Sequence, residues 1–143
     1  MKASYQKYIL NFKQPSGTSR GILKTKETFF LKIENDSSFG IGECGLFRGL
    51  SIDDRNDYEE KLNWLCENIY LETEYLLNEL KEFPSIQFGL EQALLSLKSK
   101  NPFELFQSKF TKSKDEISIN GLIWMGSEEF MKKQISDKID AGF

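Results

Sequence analysis

Apolar positions in the first third of the chain recur with a period of about two, and those beyond Tyr58 with a period of about 3.6, so strands come first and helices follow. From Ala3 to Lys13, Tyr8, Leu10 and Phe12 alternate with Lys7, Ile9 and Asn11, which predicts a strand with the Tyr8 set on its buried face. Gln14 to Gly21 gathers Pro, Ser, Thr and Gly, and is expected to be a mobile loop. A second strand, Thr28 to Glu34, sets Phe29, Leu31 and Ile33 against Phe30, Lys32 and Glu34. Asn35 to Ser38 makes a turn, and Phe39 to Cys44 resumes extended structure. Gly40 and Gly42 share one face of that third strand, which predicts that another element packs closely there.

Ser51, with Asp54 three residues on, has the spacing of a helix start, and Tyr58, Leu62, Leu65, Cys66 and Ile69 continue at helical intervals. A second helix carries Tyr75, Leu76, Leu80 and Phe83 and is expected to end at Pro84. A third runs from about Ser85 to Leu97, with Ile86, Leu90, Ala93, Leu94 and Leu97 on one stripe. Beyond the polar stretch Thr111 to Asp115, Ile117 to Trp124 is strand-like. Ser127 then caps a helix whose first turn holds Glu128 and Glu129 and whose stripe is Met131, Ile135 and Ile139. Gly142 stands where a helix C′ residue belongs.

The predicted class is α+β: a three-stranded antiparallel meander packed on a helical layer over residues 1–112, then a single β-α unit over 113–143. A lone parallel-type β-α unit has no neighbour to pair with. The chain is therefore expected to be the N-terminal fragment of a longer protein.

Twelve Phe and a 39% hydrophobic content supply enough core material to exclude disorder. A net charge of -3 offers no field to attract a phosphate backbone, so nucleic acid is not an expected partner. The N-terminal residues break every apolar run with Lys, Gln or Asn. Neither a signal peptide nor a membrane span is expected, and the cytoplasm is the default location. Cys44 and Cys66 are too far apart for a CxxC pair and read as free thiols. With no His, Ser-His and Cys-His nucleophilic chemistry is excluded from these residues.

Several segments together resemble the enolase superfamily, in the branch that holds muconate-lactonizing enzymes, dipeptide epimerases and o-succinylbenzoate synthases. They are Thr28–Ile33, the Gly40-Ile41-Gly42-Glu43 strand, Gly49-Leu50-Ser51, the Phe88-Gly89-Leu90-Glu91-Gln92-Ala93-Leu94 helix and the Ala141-Gly142-Phe143 turn. Ile119 to Gly126 resembles the first barrel strand of o-succinylbenzoate synthases.

The resemblance implies a capping domain followed by the first strand and helix of a truncated (β/α) barrel. It also implies Mg²⁺-dependent dehydration of 2-succinyl-6-hydroxy-2,4-cyclohexadiene-1-carboxylate to o-succinylbenzoate, a step toward menaquinone. In the superfamily a Lys base removes a proton alpha to a carboxylate and Mg²⁺ stabilises the ene-diolate. The family's K-x-K motif, acidic metal ligands and second Lys lie on barrel strands that this sequence does not contain. No catalytic residue and no metal ligand is therefore assigned in it, and this stretch is expected to be inactive alone.

Family capping loops close over substrate and correspond here to Gln14–Gly21 and Gly45–Leu50. Substrate-binding candidates are Arg20, for a carboxylate, with Ser16, Thr18 and Ser19 as hydrogen-bond donors. Phe47 and Leu50 are candidates for an apolar wall, and Asn120 and Trp124 for the barrel-strand end. Arg48 is the weaker of the two arginines. Glu43 and Glu91 are read as structural, and Lys98, Lys100, Lys132 and Lys133 as solvated surface charge. A small-molecule carboxylate is the expected partner, and oligomeric state is open. Two alternatives stand: a dipeptide epimerase or another relative in the muconate-lactonizing branch, and a non-catalytic α+β interaction module.

Overall fold

The computed structural model describes residues 1–18 and 21–143. Strands β1 (Lys2–Thr18), β2 (Gly21–Glu34) and β3 (Phe39–Gly45) form one sheet in the order β1-β2-β3. Helices α1 (Tyr58–Glu67), α2 (Thr73–Glu79), α3 (Pro84–Lys98) and α4 (Glu128–Asp140) follow. The chain divides into two compact units, one of Met1–Leu10 with Lys26–Gln107 and one of Asn11–Thr25 with Ser108–Phe143.

In the first unit β2 and β3 run antiparallel, with Leu31 opposite Gly42 and Ile33 opposite Gly40. The turn between them is closed by Asn35 Oδ1, which accepts from the backbone N–H of Ser37 at 3.0 Å and of Ser38 at 2.9 Å. Phe29, Leu31 and Ile33 are fully buried, as their alternation predicts, and they meet Leu62 and Leu65 of α1 and Ile86 and Leu90 of α3 in one core.

The two glycines of β3 have the predicted role. A Cβ at Gly40 would lie 2.1 Å from the carbonyl oxygen of Ala93, and one at Gly42 would lie 1.8 Å from that of Gly89. Sheet and α3 therefore touch backbone to backbone. The approach also satisfies the open edge of β3: Gln92 Oε1 accepts from Glu43 N–H at 3.0 Å, and Ser96 Oγ from Ile41 N–H at 3.0 Å. These two side chains lie one helical turn apart, matching alternate outward amides of the strand.

Several expectations are corrected. Gln14–Thr18 belongs to β1 and Gly21 opens β2, so the stretch expected as a mobile loop is mostly ladder. Pro15 is tolerated because β1 is an edge strand, and Thr18 Oγ1 donates to Gly21 O at 2.8 Å. Tyr8, Leu10 and Phe12 are exposed, and Ala3 and Tyr5 pack on the core instead. Both faces of β1 carry apolar residues, so alternation alone misassigns the inner one.

Ser51 does not start α1: its Oγ accepts from Phe47 N–H at 2.9 Å within a separate turn, and the helix begins at Tyr58. Pro84 does not end α2, which stops at Glu79; it is the first residue of α3, where its missing N–H costs nothing. Asp53, nearly fully buried, takes over the capping of α3 by accepting from Ser85 N–H at 2.8 Å and Ser85 Oγ at 2.6 Å.

In the second unit Ser127 caps α4, its Oγ accepting from Phe130 N–H at 3.3 Å. The far end closes with Gly142 at φ 84°, its N–H bonded to Ile139 O and that of Phe143 to Lys138 O, each at 3.0 Å. The apolar stripe of α4 is open, with Ile135 and Ile139 exposed. Residues 117–124 have a strand's alternation but form none among the described residues, because a strand needs a ladder partner.

Candidate functional site

The strongest local constellation is the turn that leaves β3. Gly45 ends the strand and Leu46 turns into the core, so the next residues are thrown outward. Phe47 is 38% exposed and Leu50 46%, both on the same turn. The backbone is closed on itself, with Leu50 N–H to Phe47 O at 3.0 Å and Ser51 N–H to Phe47 O at 2.9 Å. Gly49 has φ 75°, a region a side chain rarely adopts, and gives its N–H to Asp54 Oδ2 at 2.6 Å.

Charge fixes the turn further. Arg48 Nη1 donates to Asp54 Oδ1 at 2.8 Å and Nη2 donates to Glu27 on β2. Lys7 Nζ sits 2.9 Å from both Glu27 Oε2 and Glu59 Oε1. Burial alone would raise the Glu27 carboxyl, but hydrogen bonds from Lys7 and Arg48 outweigh it and hold it below the usual carboxylate range. The Asp54 carboxyl is lowered first by the Gly49 N–H and then by Arg48. Sequence reading missed Glu27 and Lys7, since nothing in local spacing links residues 20 or more positions apart.

Beside this turn a shallow cleft of about 480 Å³ is lined by Lys26, Glu43, Ser51, Ile52, Phe88 and Gln92, among others. Lys26 Nζ lies 5.0 Å from the Phe47 ring centroid and 3.4 Å from Glu43 Oε1. Glu43 also accepts from Thr28 Oγ1 at 2.8 Å, which is the structural role expected of it. Its ammonium already being balanced, Lys26 leaves the cleft polar without a free positive charge.

The other candidates belong to the second unit. Ser16 is 8% exposed, and a Cβ at its neighbour Gly17 would lie 3.1 Å from Met125 O, so β1 at Gly17 meets Met125. Trp124 is 42% exposed and held by its backbone: its N–H donates to Gln134 Oε1 at 2.9 Å, and Gln134 Nε2 donates to Trp124 O at 3.0 Å. Asn120 lines an open hollow of about 580 Å³ with Gly121, Gly142 and Phe143. The structure thus brings Ser16, Thr18, Asn120 and Trp124 into one unit and places Phe47 and Leu50 in the other. Ser19 and Arg20 lie outside the described residues.

Lys132 and Lys133 are solvent-facing and pair within α4, Lys133 with Asp137 at 2.8 Å. Glu91 is exposed. Among the described residues no three His, Cys, Asp or Glu side chains gather in a way that could hold a metal ion, so Mg²⁺ has no fitting ligand set here. No helix among them is long and apolar enough to cross a membrane.

No family model matches the chain. It is 33% identical to the o-succinylbenzoate synthase of Desulfotalea psychrophila (strain LSv54 / DSM 12343), in an alignment covering all of this chain and 47% of that protein. The crystal structure of MenC from Desulfotalea psychrophila LSv54 superposes with a TM-score of 0.78 at 30% identity, again over 100% of this chain and 47% of the other. The o-succinylbenzoate synthase of Thermosynechococcus elongatus BP-1, solved with Mg in its active site, gives a TM-score of 0.69 at 16% identity over 99% of this chain and 40% of its own. An enolase family member from Agrobacterium tumefaciens with homology to dipeptide epimerases gives a TM-score of 0.69 at 14% identity over 94% of this chain and 42% of its own. The last two likenesses speak to fold alone. The chain spans about half the length of the relatives it matches most fully.

Proposed function

We propose, from the premise that this chain belongs to the enolase superfamily, that it is the capping part of an o-succinylbenzoate synthase. The observation that carries this reading is identity of 33% spread over the whole chain, with a backbone match of the same extent. The reaction would remove water from 2-succinyl-6-hydroxy-2,4-cyclohexadiene-1-carboxylate and leave an aromatic ring. It would take place in the cytoplasm as a step toward menaquinone. Mg²⁺, present in the Thermosynechococcus elongatus structure, would neutralise developing carboxylate charge; none of the residues Met1–Phe143 is assigned to it.

This chain's own contribution is enclosure. Residues 1–112 form the cap and residues 113–143 begin the barrel. Phe47 and Leu50 supply an apolar wall against the substrate ring, excluding water from it. Ser16 and Thr18, together with Ser19 and Arg20, supply donors to its carboxylates. Asn120 and Trp124 stand at the end of the segment that leads into the barrel and are the candidates there for contact with substrate.

The test is to express the gene with whatever coding sequence follows Phe143 and to assay the product with Mg²⁺. Formation of o-succinylbenzoate, absent when residues 1–143 are assayed alone, supports the proposal. Epimerisation of L-Ala-L-Glu without dehydration would replace it with the dipeptide epimerase reading. Neither activity, with a folded and monodisperse protein, would favour the interaction module.

A further inference from the structure

We infer that Arg48 is a positioning residue that clamps the Phe47–Asp54 turn between two carboxylates, Glu27 on β2 and Asp54 in the turn itself, and is not a ligand for substrate. The inference rests on the proposed reaction only in what the wall would touch. One guanidinium nitrogen is given to each carboxylate, in the forked geometry that arginine alone offers. Asp54 uses its second oxygen on the Gly49 N–H, tying the left-handed glycine to the same clamp. Lys7 and Glu59 extend the network from β1 and α1, and Lys26 and Glu43 face Phe47 from β2 and β3.

A turn fixed in this way presents Phe47 and Leu50 as a preformed wall. Moving it as a lid would carry Asp54 along but break the charge-assisted contact from Arg48 to Glu27, and leave Glu27, whose side chain is mostly buried, with Lys7 as its remaining cation among these contacts.

The experiment is amide NMR on the 143-residue chain. In the wild type the Gly49 amide resonance should titrate with the Asp54 carboxyl at a midpoint below the ordinary carboxylate range. Arg48→Met should raise that midpoint and speed Gly49 amide exchange at least tenfold. The Leu31 amide of the β2-β3 ladder should remain protected, showing that the chain is folded. Arg48→Lys keeps the charge without the fork and should recover less than half of the lost protection on a logarithmic scale. Arg48 combined with Asp54→Ala should be no faster than the faster single variant. Gly49 exchange within twofold of wild type in Arg48→Met, or a Gly49 resonance indifferent to acid, would overturn the clamp. Because no turnover is measured, failure of the dehydration assay leaves these outcomes as they are.

Discussion

The Cβ that an alanine would place at Gly42 falls 1.8 Å from the carbonyl oxygen of Gly89, closer than any side-chain carbon can stand to backbone. The partner is the rigid body of α3 rather than a flexible side chain, so the contact cannot relax locally. Gly42→Ala should therefore destabilise the first unit by about 3 kcal/mol, the upper part of the usual overpacking range. Gly45→Ala, whose Cβ would meet nothing nearer than the movable Lys26 Nζ at 3.2 Å, should cost much less. Urea unfolding of the two variants side by side checks the difference.

Asp53 shows how a cap can come from outside the helix it serves. Asp53→Ala would strand the N–H of Ser85 and leave its hydroxyl with Tyr58 OH, 2.6 Å away, as partner. A loss of about 2 kcal/mol is expected, within the range for unpaired buried polar groups. Tyr58→Phe removes one bond of the set and should cost about 1 kcal/mol. Thermal denaturation followed by circular dichroism reports both.

Burial in the core pushes the Cys44 thiol up to about 12 from its ordinary 9.0, and nearby Cys66, Asp53 and Glu43 add to the effect. A group whose folded value is raised gives stability that is complete below its unfolded value and is lost as pH climbs through the folded one. Stability should thus fall between about pH 9 and pH 12, and less steeply in Cys44→Ala. Iodoacetamide at pH 8 should label Cys66, which is partly exposed, ahead of Cys44. Labelling of Cys44 first would contradict the burial argument.

Lys133 and Asp137 make a close pair at 2.8 Å on a solvent-facing side of α4, one turn apart. Screening and side-chain entropy reduce such pairs to about 0.3–0.5 kcal/mol. Lys133→Met should leave the unfolding midpoint within about 0.5 kcal/mol of wild type, a small effect that 1 M salt should erase.

What was legible in the sequence followed from period and from glycine. Phe29, Leu31 and Ile33 announced the buried face of β2, and Gly40 and Gly42 announced the close approach of α3. The start of the first helix was misread because Ser51 and Asp54 have capping-box spacing while spending their oxygens on Phe47, Gly49 and Arg48. The inner face of β1 was hidden because Tyr8, Leu10 and Phe12 are apolar yet exposed. Of the candidate site, Phe47 and Leu50 were recognisable as exposed apolar residues in a glycine-bearing turn. The Glu27–Arg48–Asp54 clamp was not, since its members come from separate elements that only folding brings together. Gln134, which grips the backbone of Trp124 from ten residues away, left no sequence signal either.

The ladder partner of β2 on the β3 side ends at Thr28, opposite Gly45, yet β1 and β2 continue to Thr18 and Gly21. That overhang is a two-stranded ribbon, and its heredity is quantised. Side chains alternate sides at every step, so dropping a single residue between Asn11 and Pro15 would hand the inward place of Ser16 to Gly17 and the place of Gly17, against Met125 O, to Thr18. Lengthening or shortening the ribbon in steps of two residues per strand preserves both faces. Among homologous chains the length of this hairpin should drift in even increments, and odd ones should arrive with a bulge.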